Sequence, residues 1–359
     1  MHVILTIIVF IILLALLVLA HEFGHFIVAK KSGMQVDEFG FGFPPRLFAV
    51  RKGETVYSVN AVPLGGFVKI MGENNEGAEN PRSFINKGFW ARFFTLTAGV
   101  IMNFILAWVL FSIGFGIGLP AVVQPGDQVP AHARLAAEHL TVLDVAANSP
   151  AQQAGLQQGD EIISYDNHTA VNADAMVAYI QSKAGNNVRF DFQRGAENFT
   201  KDIFSRPNPP ADQGSVGIAF GTVGRISYPW YLAPIAGLQG TWQVLSQTAV
   251  AFYQLIAQGS GLSSLGGPVK IASLTGQVTQ LGFVYVLQFA AFLSVNLGII
   301  NIIPFPALDG GRVLFLLIEK VRGKRNNQKI EQWANTIGFA LLIGLIIVIT
   351  FKDIGSLVH

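Results

Sequence analysis

The 359-residue chain contains no cysteine and little charge: Asp, Glu, Lys and Arg together make up 13% of it. Without cysteine, a disulfide scaffold, a thiolate metal site, a cysteine nucleophile and thiol redox chemistry are all excluded. Soluble domains carry about 25% charged residues, so this chain has about half the usual complement. The deficit is concentrated in long apolar runs, which excludes both a water-soluble globule and a disordered chain. A formal net charge of +2 offers no electrostatic case for nucleic acid as a partner. What the chain has instead is 51% hydrophobic residues and a mean hydropathy of +0.46. That is the composition of a polytopic α-helical membrane protein.

Residues 3–20, VILTIIVFIILLALLVLA, carry no charge, and with the following HEFGHFIVA the helix-compatible stretch reaches residue 29. It is long enough to cross about 30 Å of hydrocarbon. A signal peptide is the alternative, but MHVILT has no basic start, no small-x-small cleavage site follows, and the run is too long. The chain divides into a first span over 1–30, a membrane-associated β-loop region over 31–92 and a second span over 93–119. An extracytoplasmic region over 120–225 follows, then an interfacial helix and loop over 226–280. The third span falls within 281–310, a basic loop over 311–332, the fourth span over 333–351 and a tail over 352–359. Segment 30–92 holds nine Lys or Arg and loop 319–332 holds five, so both are expected on the cytoplasmic side. The N-terminus, the 120–280 segment and the C-terminus then lie on the far side. Stretch 229–258 is uncharged but rich in Gln and Thr, which suits a helix lying in the interface rather than a span.

His21-Glu22-Phe23-Gly24-His25 closes the first apolar run. On a helix, positions i and i+4 share a face, so both imidazoles can reach one metal ion. Glu22, offset by about 100°, stands where a carboxylate can polarise a water. The alternative is that these groups merely cap the helix end. Lys30 and Lys31 mark that end, which leaves His25 roughly 8 Å inside it. Ionisable groups at such depth default to a functional reading. Two histidines and a water leave a tetrahedral zinc one ligand short. The other histidines lie in the termini or the polar segment, so the better candidate is Asp309, in NIIPFPALDGGR at residues 301–312. This segment ends the third span and returns to the side of His25. Its two prolines break the helix, freeing backbone groups that only a buried or water-lined site satisfies. A helix N-cap is the plain alternative for Asp309.

Together HEFGH and NIIPFPALDGG, as H-E-x-x-H and N-x-x-P-x-P-x-L-D-G, resemble the site-2 protease family of intramembrane zinc metalloproteases, of the bacterial RseP type. Gly99 and Asn103 in the second span, and Leu265-Gly266-Gly267-Pro268 ahead of the third, extend the resemblance across essentially the whole chain. It implies a Zn2+ cofactor held by His21, His25 and Asp309, with Glu22 as general base. It also implies that Asn301, Pro304 and Pro306 help to hold substrate near the metal.

Residues 36–71 read as short β-strands with turns at Pro44-Pro45, Lys52-Gly53 and Gly65-Gly66. The family has a membrane-associated β-loop here, and Gly40-Phe41-Gly42 resembles its substrate-binding motif. An open strand edge could pair with an extended substrate, while a hairpin that only packs under the spans is the plainer alternative. From Thr141 a strand, a short helix, a Gly-Asp turn into a strand, a second helix and a closing hairpin form a compact α+β unit over about 140–207. Ser149-Pro150-Ala151 and Gly155 to Ile163 resemble a single inserted PDZ domain of the bacterial protease type, where the RseP type has two. The glycines are read as turn residues.

The resemblance implies an intramembrane zinc endopeptidase of a bacterial inner membrane, its site near the cytoplasmic side and its PDZ domain extracytoplasmic. Its partners would be the bilayer, pre-trimmed single-span proteins such as anti-sigma factor or signal-peptide remnants, and a peptide ligand of the PDZ domain. No nucleic acid is expected. A catalytically silent PDZ-bearing scaffold or chaperone is the alternative, but it has no need of Glu22 and three intact ligands. A metal or ion transporter would need further acids along a pathway, and the spans offer none beyond Glu22 and Asp309.

Overall fold

The computed structural model of the protein describes residues 2–73, 77, 79–123, 130, 132–195, 197–210, 213–258 and 266–358. Leu265 of the Leu265-to-Pro268 run lies outside them. Four of its helices are long and apolar enough to cross a membrane: α1 (His2–Lys31), α2 (Phe89–Ile117), α7 (Phe283–Ile302) and α9 (Gln328–Val358). The other α-helices among the described residues are α3 (Pro150–Gln153), α4 (Ala173–Ser182), α5 (Ala233–Gln258), α6 (Pro268–Leu281) and α8 (Asp309–Arg322). Among the described residues nine strands complete the order: β1 (Val36–Lys52) and β2 (Thr55–Ile70) precede α2, β3 (Leu119–Val123) and β4 (Arg134–Val145) follow it, and the remainder lie between α3 and α5. Those are β5 (Glu161–Tyr165), β6 (His168–Thr169), β7 (Asn187–Arg194), β8 (Glu197–Phe204) and β9 (Ile218–Ser227).

The chain divides into two compact units. The first comprises residues 1–111, 237–276 and 288–359. In it α1 and α2 pack around a small apolar core that includes Ala29, Met34, Val36, Ile70, Phe84, Leu96 and Leu316. Strands β1 and β2 are each long but bent. Glu38, Phe39, Gly40 and Phe41 have partners on both sides, Lys69 to Gly66 on one and Val56 to Val59 on the other. Residues 46–52 pair only with 55–60. Pro44-Pro45 and Gly65-Gly66 therefore act as bends inside continuous strands, Lys52-Gly53 opens the expected turn from β1 into β2, and residues 66–70 form one outer edge of the resulting sheet.

Helix α6 lies where only a loop was expected. Its first turn is capped from a distance: the backbone N–H groups of Gly267 and Lys270 donate to Asp353 Oδ2 in α9 at 2.9 and 3.0 Å. A cap 83 residues away leaves no local signal. Helix α9 also begins before, and ends after, the 333–351 span, because its polar first turn and final turns continue the helix beyond the apolar run.

The second unit comprises residues 112–236 and 277–287. Its seven-stranded antiparallel sheet has the order β3-β9-β4-β5-β7-β8, with β6 paired to β5. The core includes Leu140, Val142, Ile162, Val188, Phe190, Phe192 and Ile203 of the strands, with Ala151 of α3 and Met176 and Ile180 of α4, all buried. Ser149 caps α3, its hydroxyl accepting from the Gln152 N–H at 3.1 Å, and Pro150 follows at the first helical position. The buried Asp160 accepts from Arg194 at 2.6 and 2.7 Å, fixing the Gly-Asp turn. The sheet takes in more chain than the unit expected over 140–207. Strand β9 pairs along β4 from Val145↔Ile218 to Arg134↔Ser227, and β3 adds to β9. Pairing across some 80 residues of sequence is set by tertiary packing rather than by local pattern.

Candidate metal centre

The apolar run of α1 continues past His21 and His25, so both residues are helical and one turn apart. Helix α2 lies close because Gly99 faces the two rings. A Cβ there would lie 2.6 Å from His21 Cε1 and 2.7 Å from His21 Nε2, inside the space between the imidazoles. Asp309 comes from the other end of the chain. After α7 the prolines turn the backbone, Ala307 takes a left-handed φ of 74°, and its N–H donates to Asn335 Oδ1 of α9 at 3.1 Å. Asp309 then opens α8. The N-cap position belongs to Leu308, so the capping alternative for Asp309 does not hold. A side chain at Gly310 or Gly311 would meet the carbonyls of Ile302, Ile303 and Phe305, which is why two glycines follow the carboxylate.

Three atoms converge. His21 Nε2 is 3.0 Å and His25 Nε2 3.3 Å from Asp309 Oδ2, and the two Nε2 atoms are 3.2 Å apart. Bonds of about 2.0–2.1 Å to a tetrahedral zinc place neighbouring ligand atoms about 3.3–3.4 Å apart. The triangle has nearly that size. Asp309 Oδ2 is buried without a hydrogen-bond partner among the described residues, although both ring nitrogens are near. Tautomers explain this. His25 Nδ1–H donates to the Thr95 carbonyl at 2.7 Å, so its Nε2 presents a lone pair. Converging lone pairs with no proton between them fit a cation.

His21 Nδ1 lies 3.1 Å from the side-chain amide of the fully buried Asn103. The contact is made by Nδ2, and the Asn103 Oδ1 has no hydrogen-bond partner among the described residues. When Nε2 faces a cation, Nδ1 carries the proton, and a half-turn of the amide presents Oδ1 to it. Ser294 of α7 donates to the Asn103 carbonyl at 2.7 Å and ties that turn in place.

A cavity of about 210 Å³ adjoins the triangle, lined by Glu22, Gly66, Phe67, Glu73 and Arg312 among others. Arg312 of α8 is ion-paired with Glu73 at its wall. The outer sheet edge at residues 66–70 thus borders the same space as His21, Glu22, His25 and Asp309. Gly40-Phe41-Gly42 lies one strand behind that edge and does not line the cavity. Asn301, Pro304 and Pro306 shape the turn before Asp309 but do not line it either. Glu73, Arg312, Thr95 and Asn335 escaped sequence reading, since each is an ordinary polar residue whose role depends on a distant partner.

A helical membrane protein that encloses a His-Glu-x-x-His helix, a carboxylate converging on its two histidines and an open strand edge is built as a membrane metalloprotease. The model of peptidase family M50 matches residues 9–345, and the chain belongs to that family, the site-2 proteases. It is a zinc metalloprotease. A relative from Clostridium perfringens named as a zinc metalloprotease is 36% identical over 340 residues, covering 94% of this chain and 95% of its own. The regulator of sigma-W protease RasP of Bacillus subtilis is 30% identical over 434 residues, covering 98% and 99%. Among solved structures, the PDZ domain of an SdrC-like protein from Listeria monocytogenes aligns with 24% of this chain and 92% of that domain, at 24% identity and a TM-score of 0.21.

Proposed function

We propose that the protein is an intramembrane endopeptidase that cuts single-span membrane proteins already trimmed outside the membrane, including anti-sigma factor or signal-peptide remnants. The observation that carries this reading is the 3.0–3.3 Å triangle of His21, His25 and Asp309 at the end of an apolar span, beside Glu22 and an open strand edge. Zinc held by these three residues would polarise the scissile carbonyl and lower the pKa of water towards about 7. Glu22 takes the proton from the attacking water and delivers it to the leaving nitrogen. Thr95 and Asn103 fix the two imidazoles through their Nδ1 atoms. A helical substrate must unwind before its carbonyls are free, and the backbone of residues 66–70 offers it replacement hydrogen bonds by strand addition.

The basic segments 30–92 and 319–332 support a site near the cytoplasmic face of the inner membrane, with the inserted α+β unit extracytoplasmic. That unit is read as a single PDZ domain that screens bulky ectodomains. Among the described residues, Ile218–Gly221 of β9 have a partner only on the β4 side, an edge that suits a peptide ligand.

The test is cleavage of a tagged, ectodomain-trimmed single-span substrate by purified protein in detergent, comparing wild type with Glu22→Gln, each with and without a zinc chelator. Chelation is expected to abolish cleavage, and Glu22→Gln to slow it by about 10²–10⁴-fold with zinc still bound. Cleavage that survives Glu22→Gln would sink the mechanism and favour a different base.

A further inference from the structure

A second cavity, of about 430 Å³, lies between the start of α2 and the end of α8, within the first unit. That volume is typical of a small-molecule site. Its charged wall residues are Lys87, Arg92, Glu319, Lys320, Lys324 and Arg325. Glu319 is already engaged, accepting from Arg92 at 2.8 and 3.1 Å. No ion pair is made by Lys87, Lys320, Lys324 or Arg325 among the described residues. Lys320 sits 5.4 Å from the Phe89 ring centroid, Arg325 donates to the Ile85 carbonyl at 3.2 Å, and the Lys87 ammonium lies near Gly33 at the end of α1. Four cations from two distant stretches of chain thus gather around one hollow with no carboxylate left among the described residues of its wall to balance them, an arrangement that repels itself until an anion enters.

The surroundings indicate which anion. Trp90 in the first turn of α2 is 65% exposed, and Trp333 near the start of α9 is 67% exposed. Tryptophans at helix ends mark the level of the lipid headgroups. Leu314, Leu317, Ile318 and Val321 form a continuous exposed stripe along α8 at three- and four-residue spacing. A solvated basic face would not carry such a stripe. We propose that this cavity binds the phosphate headgroup of an anionic phospholipid, with the acyl chains lying against α8 and Trp90. Basic pockets between helices at the cytoplasmic face are the places where such headgroups bind. The proposal rests on the reading that the α2 and α8 ends face the membrane surface, but not on the protease mechanism.

The experiment is native mass spectrometry of the full chain in nonionic detergent, titrated with phosphatidylglycerol, with phosphatidylcholine of the same chains, and with free glycerol phosphate. The variants are Lys320→Gln with Lys324→Gln, the arginine pair Lys320→Arg with Lys324→Arg, and a charge-matched control, Lys31→Gln with Lys52→Gln. Phosphatidylglycerol is expected to bind at least about tenfold more tightly than phosphatidylcholine. The glutamine pair should lose about tenfold or more of that affinity, while the arginine pair and the control retain it. Equal loss in the control would overturn the site in favour of diffuse charge. Equal binding of phosphatidylcholine would overturn the headgroup assignment. Displacement by glycerol phosphate at matching concentration would make it a free-anion site and overturn the lipid. Loss in the arginine pair as well would mark the lysines as structural and also overturn it. Because binding is read without a substrate, failure here leaves the protease test untouched, and the reverse holds.

Discussion

Asn103 shows how much of a metal site lies outside its ligands. It touches no metal-facing atom, yet it holds the ring of His21 through Nδ1 and is itself held by Ser294. If its task is to accept the Nδ1 proton, an acceptor of similar shape should replace it and an apolar residue should not. Asn103→Leu is therefore expected to weaken zinc binding by about 10–100-fold, measured by competition with a chelating dye. Asn103→Asp, which keeps an oxygen at that position, is expected to bind zinc nearly as well as wild type. Equal loss in both would mean that Asn103 contributes only packing. Gly99 is the complementary case, a residue whose value is the absence of a side chain beside the two rings.

At the scale of elements, the bent sheet of β1 and β2 is anchored by its turn. Glu54 accepts from Lys30, at the end of α1, at 2.5 Å and from Arg82 at 2.7 Å. The hydrogen bonds from Arg82, then those from Lys30, lower its pKa from 4.5 to about 2. A depressed carboxylate contributes stability above its unfolded pKa and loses it as pH falls through the folded one. Glu54→Gln should therefore lower the thermal unfolding midpoint at pH 6, and the gap from wild type should close as pH falls from 4.5 towards about 2. A gap that stayed constant over that window would show that the anchor is not electrostatic. The contact is exposed to solvent, so the shift is expected to be small and to shrink further with salt.

At the scale of the whole molecule, the absence of cysteine turns the orientation into a clean measurement. In right-side-out vesicles, a single cysteine at Lys324→Cys is expected to resist a membrane-impermeant maleimide, and one at Thr200→Cys to react with it. The opposite pattern would invert the topology. The spans, the His-Glu-x-x-His helix and the Asp309 carboxylate were legible in the sequence because each is a local signal. Apolar length is set by bilayer thickness, i, i+4 spacing by the helical repeat, and Pro-x-Pro with Asp-Gly-Gly by backbone geometry. What the tertiary structure decided is everything that needs two distant stretches of chain. Asp309 reaches the histidines only because Asn335 and the glycines fix the turn, and Asp353 caps α6 from another helix. Strand β9 joins β4 across the inserted unit, and residues 66–70 become an edge beside the metal while Gly40-Phe41-Gly42 stays behind it. Burial and pairing of this kind follow from packing in three dimensions, where residues far apart in sequence become neighbours and no local pattern records the partner.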